Sequence, residues 1–238
     1  MTRGEDKSQD LVDYVYEEVV DYVCDPGMLF SRDLNVAGLA KKLGVSRTPV
    51  SMALTRLECD GLVHKLAGGG WVTAKPTVED LDELFELREV LDPLLVRKAA
   101  QSVDSATAER LLQAVEGMES ACEANDLDQW LAADRHFHEC LFDLAGNERL
   151  VRLQAQLRNQ LVSVVAGNVL FGNQMEISCQ DHRNLAEAIS VGDGELAVKH
   201  ALDHIVRLKE SLVRMLERIL GPFSGSRLDE FGSGRPDR

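Results

Sequence analysis

The stretch LAKKLGVSRTPVSMALTRLECDGLV, residues 39–63, decides the fold of the first part of the chain. The segment from Val36 to Leu43 repeats apolar residues at helical spacing, and Gly44 permits a tight turn after it. Ser46 is placed to cap a second helix, in whose first turn Pro49 is tolerated. Two short helices joined by a tight turn are typical of a helix-turn-helix.

The sequence on either side of this stretch completes a winged module. Upstream, Leu11 to Val23 is predicted to be a helix that ends before the turn signal Asp25-Pro26-Gly27. Downstream, residues 62–65 and 71–73 resemble two short strands, which are joined by Ala67-Gly68-Gly69-Gly70 and form a wing. We therefore predict a winged helix-turn-helix domain that binds DNA over residues 1–75.

The distribution of charge is more informative than its sum. The chain has 238 residues and a formal net charge of −14, which argues against a general polyanion binder. Residues 1–75 hold nine basic and eleven acidic residues, whereas residues 76–238 hold 17 basic and 29 acidic residues. Residues 33–75 alone hold six basic and three acidic residues, so a small basic module lies within an acidic chain.

Several classes of protein are disfavoured by composition. No apolar stretch is long enough to span a bilayer, and the N-terminus MTRGEDKSQD lacks the hydrophobic region of a signal peptide. The five cysteines are odd in number and scattered, which predicts reduced thiols rather than a disulfide framework. We therefore expect a cytoplasmic protein without a membrane partner.

The chain changes character at Pro76. Thr77, with Asp80 three residues later, resembles a helix N-cap, and helical patterns follow one another without strand alternation. They are predicted over residues 77–101, 105–123, 126–145, 148–170, 174–191 and 194–220. We predict a mainly α fold: the small β wing of the first domain, an all-α antiparallel bundle over residues 76–220, and a disordered tail over 221–238.

Four ionisable residues lie on apolar seams of the predicted bundle. A seam is a row of apolar residues that recurs every three or four positions along one face of a helix. Asp134 and His138 share one helix face with leucines, while His182 and His204 each interrupt the apolar seam of a later helix. Burying such groups without partners costs several kcal/mol, so a shared metal ion is the simplest reason to bring them together. Three imidazoles and one carboxylate suit a divalent first-row metal such as zinc, nickel or manganese.

The seams leave other interpretations open. Each histidine could be a hydrogen-bonded core residue, and Asp134 with His138 could be a simple ion pair one turn apart. His200 could replace His204, because both lie near the same seam, and Cys179 could contribute a ligand one turn before His182.

Arg88 is a fifth polar residue on an apolar seam. It could pair with an acidic residue of a neighbouring helix or extend to solvent. Alternatively, its guanidinium could bind the carboxylate of a small ligand in a bidentate manner, in the same cavity as a cation.

These motifs carry a resemblance to a known family. Residues 39–63 followed by GGGWV are similar to the winged helix-turn-helix of the GntR family of bacterial transcription regulators. The second part resembles the FCD ligand-binding domain of its FadR branch in ELREVLDPLLVRKAA, DRHFHECLFDLAGN and DHRNLAEAISVGD, in that order. The resemblance covers nearly the whole chain, and six helices after residue 76 would be nearer the shorter, VanR-like subgroup.

The resemblance assigns roles to the seam residues. It implies that Asp134, His138, His182 and His204 align with the metal ligands of metal-containing FCD domains, and that Arg88 contacts an effector carboxylate. In such proteins the metal is thought to shape the effector pocket rather than to drive catalysis.

The DNA-binding half departs from the family pattern. Where the family usually has VSRTPVREAL, this chain has Ser51 and Met52, and Gly69 stands where the wing usually has a basic residue. Val36 and Ala37 replace the usual Glu-Arg pair. We therefore predict an unusual operator or weaker binding. The remaining DNA contacts are assigned to Ser46, Arg47, Thr48, Arg56, Lys65, Gly68, Gly69 and Gly70.

The function predicted from the sequence is a homodimeric transcription regulator, expected to be a repressor, that binds operator DNA, a divalent metal and a small carboxylate effector. Two alternatives are a metal-dependent hydrolase or lyase, and a dimerising adaptor with weakened DNA binding. The enzyme alternative needs a general base near the metal, and no carboxylate beyond Asp134 stands on the same seams.

Overall fold

The computed structural model describes residues 3–23, 32–172 and 174–220. Over these residues the chain is mainly α, as predicted. The elements, in chain order, are α1 (Arg3–Val23), β1 (Asp33–Leu34), α2 (Val36–Leu43), α3 (Arg47–Cys59), β2 (Val63–Lys65), β3 (Trp71–Thr73), α4 (Val78–Ser102), α5 (Ser105–Glu123), α6 (Leu127–Ala145), α7 (Glu148–Gly172), α8 (Met175–Ser190) and α9 (Gly194–Leu220). The predicted turn at residues 25–27 and the predicted tail at residues 221–238 lie outside the described residues.

The chain divides into two compact units. The first contains the described residues up to Pro76 together with Arg158–Val164, and the second contains Thr77–Leu157 and Val165–Ile219. None of the described helices combines the length and apolar character needed to cross a membrane.

The first unit contains a three-stranded antiparallel sheet in the order β1-β3-β2. Val63 faces Thr73 and Lys65 faces Trp71, so β2 and β3 form the predicted hairpin. The third strand, β1, was not predicted; it pairs Leu34 with Trp71. Two residues are too few to show the alternation by which a strand is recognised in a sequence.

The turn between α2 and α3 follows from three residues. Asn35 caps α2 by accepting hydrogen bonds from the N–H groups of Ala37 and Gly38. Gly44 ends the helix in the left-handed region, with φ of 68°. Ser46 occupies the N-cap position of α3, but the expected capping hydrogen bond of its side chain is absent. The third residue of α3 is Pro49, whose nitrogen carries no hydrogen to donate.

The core of the first unit is apolar and continuous. The inner face of α3 packs against α1 and against the indole of Trp71. Residues of α3 with no exposed surface are Val50, Ala53, Leu54 and Leu57. This packing fixes which face of α3 is turned to solvent.

The second unit is the predicted helical bundle. Its first helix, α4, begins with a capping box in which the Thr77 hydroxyl accepts from the Asp80 N–H and the Asp80 carboxylate accepts from the Thr77 N–H. Asp104 and Asp126 cap α5 and α6 without a capping box, by accepting from the N–H groups of Thr107 and Gln129, respectively. The core between α4, α5, α6 and α8 is built from leucine, alanine, valine and Phe137.

Gly38, inside α2, and Gly44, directly after it, provide a test of the turn. We expect Gly44→Ala to lower the free energy of unfolding by about 1 kcal/mol, because a Cβ is disfavoured in the left-handed region even though no atom lies within 4 Å of it. Gly38→Ala, in the helix itself, is the matched control and should not destabilise. Urea unfolding measures both changes; equal effects of the two substitutions would contradict the assigned turn.

Candidate sensory site and DNA-binding surface

Three of the four predicted metal ligands come together inside the second unit. Potential ligand atoms of Asp134, His138 and His182 all lie within 4.8 Å of one another. The Oδ1 atom of Asp134 lies 3.3 Å from Nε2 of His182 and 3.7 Å from Nε2 of His138. Asp134 and His182 are buried and His138 is partly buried, so α6 and α8 face each other across a polar cluster.

A hydrogen bond to the backbone determines which ring nitrogen of His182 faces Asp134. Nδ1 of His182 lies 2.7 Å from the backbone oxygen of Ser178, which can only accept, so Nδ1 carries the hydrogen. In the neutral imidazole Nε2 then presents a lone pair toward the Asp134 carboxylate, which also only accepts. The Nε2 atom lies 3.3 Å from Oδ1 of Asp134, a distance that suits an ion pair with a protonated imidazole or a cation shared with a neutral one. The residues present therefore fit a divalent cation in the chemistry of their donor atoms.

One wall of the cluster is aromatic. The ring of Phe137 packs edge-on against His182 and His138, with centroid distances of 4.8 and 5.7 Å. Its side chain has no exposed surface. An apolar wall strengthens any electrostatic interaction with the cluster, because little water is present to screen it.

His204 lies beside this group without being part of it. Its ring centroid is 5.1 Å from that of His182, and its Nδ1 atom lies 3.1 Å from Oδ2 of Asp181. The Asp181 carboxylate also accepts hydrogen bonds from Arg207. His204, rather than its competitor His200, is the histidine of α9 that is found against His182.

Asp181 and His204 form a buried hydrogen-bonded pair. Burial lowers the pKa of His204 below its usual value, and the nearby charge of Arg88 acts in the same direction, against the effect of Asp181. Burial alone would raise the pKa of Asp181, but its hydrogen bonds with His204 and Arg207 outweigh this and lower it. At neutral pH the Asp181 carboxylate therefore holds Nδ1–H of a neutral His204, and Nε2 keeps its lone pair.

Arg88 is held by its own helix. Its Nε and Nη2 atoms donate to the same oxygen of Asp92, at 3.1 and 2.9 Å, and the guanidinium lies 5.3 Å from the ring centroid of Phe85. The other oxygen of Asp92 accepts from the amide of Gln154 at 2.8 Å. The partner anticipated from the sequence was on a neighbouring helix, whereas Asp92 is one turn further along α4.

Cys179 faces away from the cluster. Its sulfur accepts a hydrogen bond from the indole N–H of Trp130 at 3.3 Å, within an apolar cluster that includes Met118. Burial raises the pKa of the Cys179 thiol to about 11, so the thiolate that a metal would require is disfavoured. The possible ligand role of Cys179 is therefore not supported.

The predicted DNA-contacting residues of the first unit form an exposed surface. Ser46, Arg47 and Thr48 are exposed at the start of α3. The wing glycines at 68–70 are also exposed, and Gly69 and Gly70 have positive φ values of 85° and 93°. Nothing lies within 4 Å of a Cβ built on any of the three, so positive φ rather than lack of space favours glycine at positions 69 and 70.

Two of the predicted DNA contacts have partners within the unit. Nη1 of Arg56 lies 2.7 Å from Oδ1 of Asp13, and its guanidinium stacks 4.0 Å from the ring centroid of Tyr16. Lys65, on the wing, lies over the ring of Trp71 at 5.8 Å. Arg56 thus joins α3 to α1, and a DNA contact would have to compete with that role.

Comparison with known proteins decides the family. The family model for bacterial regulatory proteins of the gntR family matches residues 14–72, and the FCD domain model matches residues 83–207, more than half of the chain. The chain belongs to the GntR family. It carries the GntR DNA-binding head and an FCD domain, and it is a DNA-binding transcription regulator rather than an enzyme.

Individual relatives agree with this assignment. The chain is 28% identical to YdhC of Bacillus subtilis, an uncharacterized HTH-type transcriptional regulator, over 77% of this chain and 83% of that protein. It is 29% identical to a probable D-xylose utilization operon transcriptional repressor of Paenarthrobacter nicotinovorans, over 71% of this chain and 73% of that protein. The solved structure of E. coli McbR/YncC shares the fold, with a TM-score of 0.76 at 20% identity, over 88% of this chain and 98% of that one.

Reasoning from the sequence missed two acidic residues of the FCD domain. Asp92 and Asp181 are buried, and each binds an arginine. Asp92 lies four residues after Arg88, a spacing at which side chains on a helix meet. Asp181 is adjacent to His182 in the sequence, but nothing in that position indicates contact with His204 from another helix.

Proposed function

We propose that this GntR regulator is a homodimeric repressor whose FCD domain binds a divalent metal ion and a small carboxylate effector. The observation that carries the proposal is the position of Asp134 Oδ1 between the Nε2 atoms of His138 and His182. A buried carboxylate beside two imidazoles offers the oxygen and nitrogen donors that a divalent first-row metal prefers.

The proposed metal ligands are Asp134, His138 and His182, with His204 as the fourth. Zinc, nickel and manganese all accept this set of imidazole and carboxylate donors. Asp181 orients His204 by accepting the hydrogen of its Nδ1, an arrangement common around metal-bound histidines. When bound, the metal would supply positive charge for an anionic ligand.

Arg88 is the proposed anchor of the effector carboxylate. Its charge is close enough to His204 to lower the pKa of that histidine, so the guanidinium and the polar cluster act on a common region. Only 12% of the Arg88 side chain is exposed, which strengthens its interaction with an anion. Its Nη1 atom has no hydrogen bond among the described residues.

The response to effector is proposed to pass through α4. This helix begins at Thr77, directly after the first unit, and it carries Arg88 one turn before Asp92. An effector alters DNA binding only if it binds one conformation of the regulator more tightly than another. The repressive sign is supported by the name of the Paenarthrobacter relative. As a regulator of operator DNA, the protein would act in the bacterial cytosol.

An apolar stripe on α4 supports the proposed homodimer. Leu87, Val90 and Leu94 are exposed at positions three and seven residues apart, and therefore lie along one helix face. Two winged heads are needed to bind the two half-sites of a palindrome, which provides a reason for a second copy.

Metal analysis tests the proposed site. We expect His182→Ala to lose most of the metal that the purified wild-type protein retains, because it removes a ligand. Asp181→Asn should weaken metal affinity by about 10- to 100-fold, the usual effect of losing a residue that orients a ligand. Elemental analysis after dialysis against a chelator measures both.

His136→Ala is the matched control, since this histidine lies on the same helix but is exposed beside Glu139. It should retain wild-type metal content. Circular dichroism verifies that each variant is folded. Unchanged metal content in folded His182→Ala would contradict the metal site.

Thermal shifts with a panel of small mono- and dicarboxylates test the role of Arg88. A carboxylate at 100 times its Kd should stabilise the metal-loaded wild type by about 2.7 kcal/mol and raise its Tm by several degrees. The double variant Arg88→Met/Asp92→Asn, which removes both partners and avoids leaving Asp92 buried and unpaired, should lose this shift. Arg110→Ala, an exposed arginine paired with Asp143, should keep it. An undiminished shift in the double variant would exclude Arg88 as the anchor.

The oligomeric state tests the stripe on α4. We expect Val90→Glu to reduce the mass measured by light scattering from that of a dimer to that of a monomer, because it places a charge in an apolar interface. Val191→Glu is the control, as Val90 and Val191 are both highly exposed, at 70% and 78%. A monomeric wild type, or a dimer that is unaffected by Val90→Glu, would contradict the proposed interface.

A further inference from the structure

The solvent-facing side of α3 carries an unusual set of side chains. Its buried side is formed by Pro49, Val50, Ala53, Leu54 and Leu57. Between Arg47 and Arg56 the exposed residues are Thr48, Ser51, Met52 and Thr55, none of which is charged. We refer to these four as the outer ridge. Met52 lies in its middle, and 49% of this residue is exposed.

Hydrogen bonding further limits what the outer ridge can offer to a partner. The hydroxyl of Thr55 donates to the backbone oxygen of Ser51 at 3.0 Å, so its methyl group is the remaining distinctive feature. Arg56, which borders the ridge, is paired with Asp13 and stacked on Tyr16. The ridge therefore presents methyl groups, a thioether and two hydroxyls.

The chemistry of the major groove can be compared with this set. Guanine is read by arginine or lysine, adenine by asparagine or glutamine, and cytosine by an acidic side chain. The ridge contains none of these residues. The remaining distinctive group in the groove is the C5-methyl of thymine, which is recognised by apolar contact, while serine and threonine hydroxyls bind several bases.

We propose that the outer ridge, centred on Met52, recognises the 5-methyl groups of thymines in the operator half-site. The proposal rests on the DNA-binding function of the GntR head and specifies what α3 reads. Double-stranded DNA is favoured as the occupant because α3 is the second helix of the helix-turn-helix, which enters the major groove. Lys41, Lys42 and Lys65 are exposed on neighbouring elements of the same unit, where their positive charge attracts phosphates.

The experiment begins with selection of binding sites from random duplex DNA by the full-length protein. Each thymine of the selected half-site is then replaced by deoxyuridine, which keeps the hydrogen bonds and removes only the methyl group. For every methyl that the ridge contacts, we expect Kd to rise about fourfold, as for the loss of one buried methyl group. Uracil outside the half-site serves as the DNA control.

Met52→Ala then assigns the recognition to the ridge. In this variant, uracil at the thymines nearest Met52 should change Kd by less than twofold, because the side chain that contacts their methyl groups has already been removed. Leu196→Ala, an exposed leucine of α9, is the protein control and should respond to uracil as the wild type does. Melting curves confirm that the variants are folded.

The possible outcomes distinguish failure of methyl recognition from failure of the DNA-binding function itself. Selection of a defined site whose affinity is insensitive to uracil, or equal uracil effects in wild type and Met52→Ala, overturns methyl recognition and leaves the DNA-binding function intact. Failure to select any sequence overturns both. A uracil penalty that disappears only in Met52→Ala supports the assignment.

Discussion

A buried carboxylate placed against two imidazoles is the constraint around which the FCD domain is built. Asp134 lies on α6 and His182 on α8, and Phe137 fills the space beside them with an aromatic edge. Because the backbone oxygen of Ser178 fixes the hydrogen of His182 on Nδ1, the lone pair of Nε2 is directed at an acceptor. The packing of the bundle therefore holds the Asp134 carboxylate and the His182 imidazole close together.

The charges around this cluster are held by specific partners. Asp181 is fixed by Arg207 and accepts from His204, while burial and nearby positive charge keep His204 neutral. Arg88 is held by Asp92, which in turn is held by Gln154. Among the described residues of the domain, Arg88 is therefore paired with Asp92, and Asp181 is paired with Arg207 and His204.

Helical periodicity predicted which residues of α6 and α8 lie inside the bundle. Counting seams placed Asp134, His138 and His182 inside the bundle because side chains three and four residues apart share a helix face. It could not place His204 relative to Asp181, since contact between α9 and α8 depends on how two helices pack. In the first unit, Ser46 was correctly positioned at the start of α3, but its side chain does not make the expected capping hydrogen bond, and Pro49 removes one of the two N–H groups that could donate it. The two-residue strand β1 was missed because it is too short for a pattern.

The arrangement around Arg88 limits how an effector could act. Both donated hydrogen bonds end on one oxygen of Asp92, so an incoming carboxylate can either bind alongside this pair or displace it. Displacement would leave Asp92 buried with only the amide of Gln154, and an uncompensated buried charge is strongly destabilising. Binding alongside the pair avoids that penalty and adds a second anion to the guanidinium, which is favourable only where a cation in the neighbouring cluster offsets the extra negative charge. Metal and effector would therefore bind cooperatively, and by thermodynamic linkage each would raise the affinity of the other by the same factor.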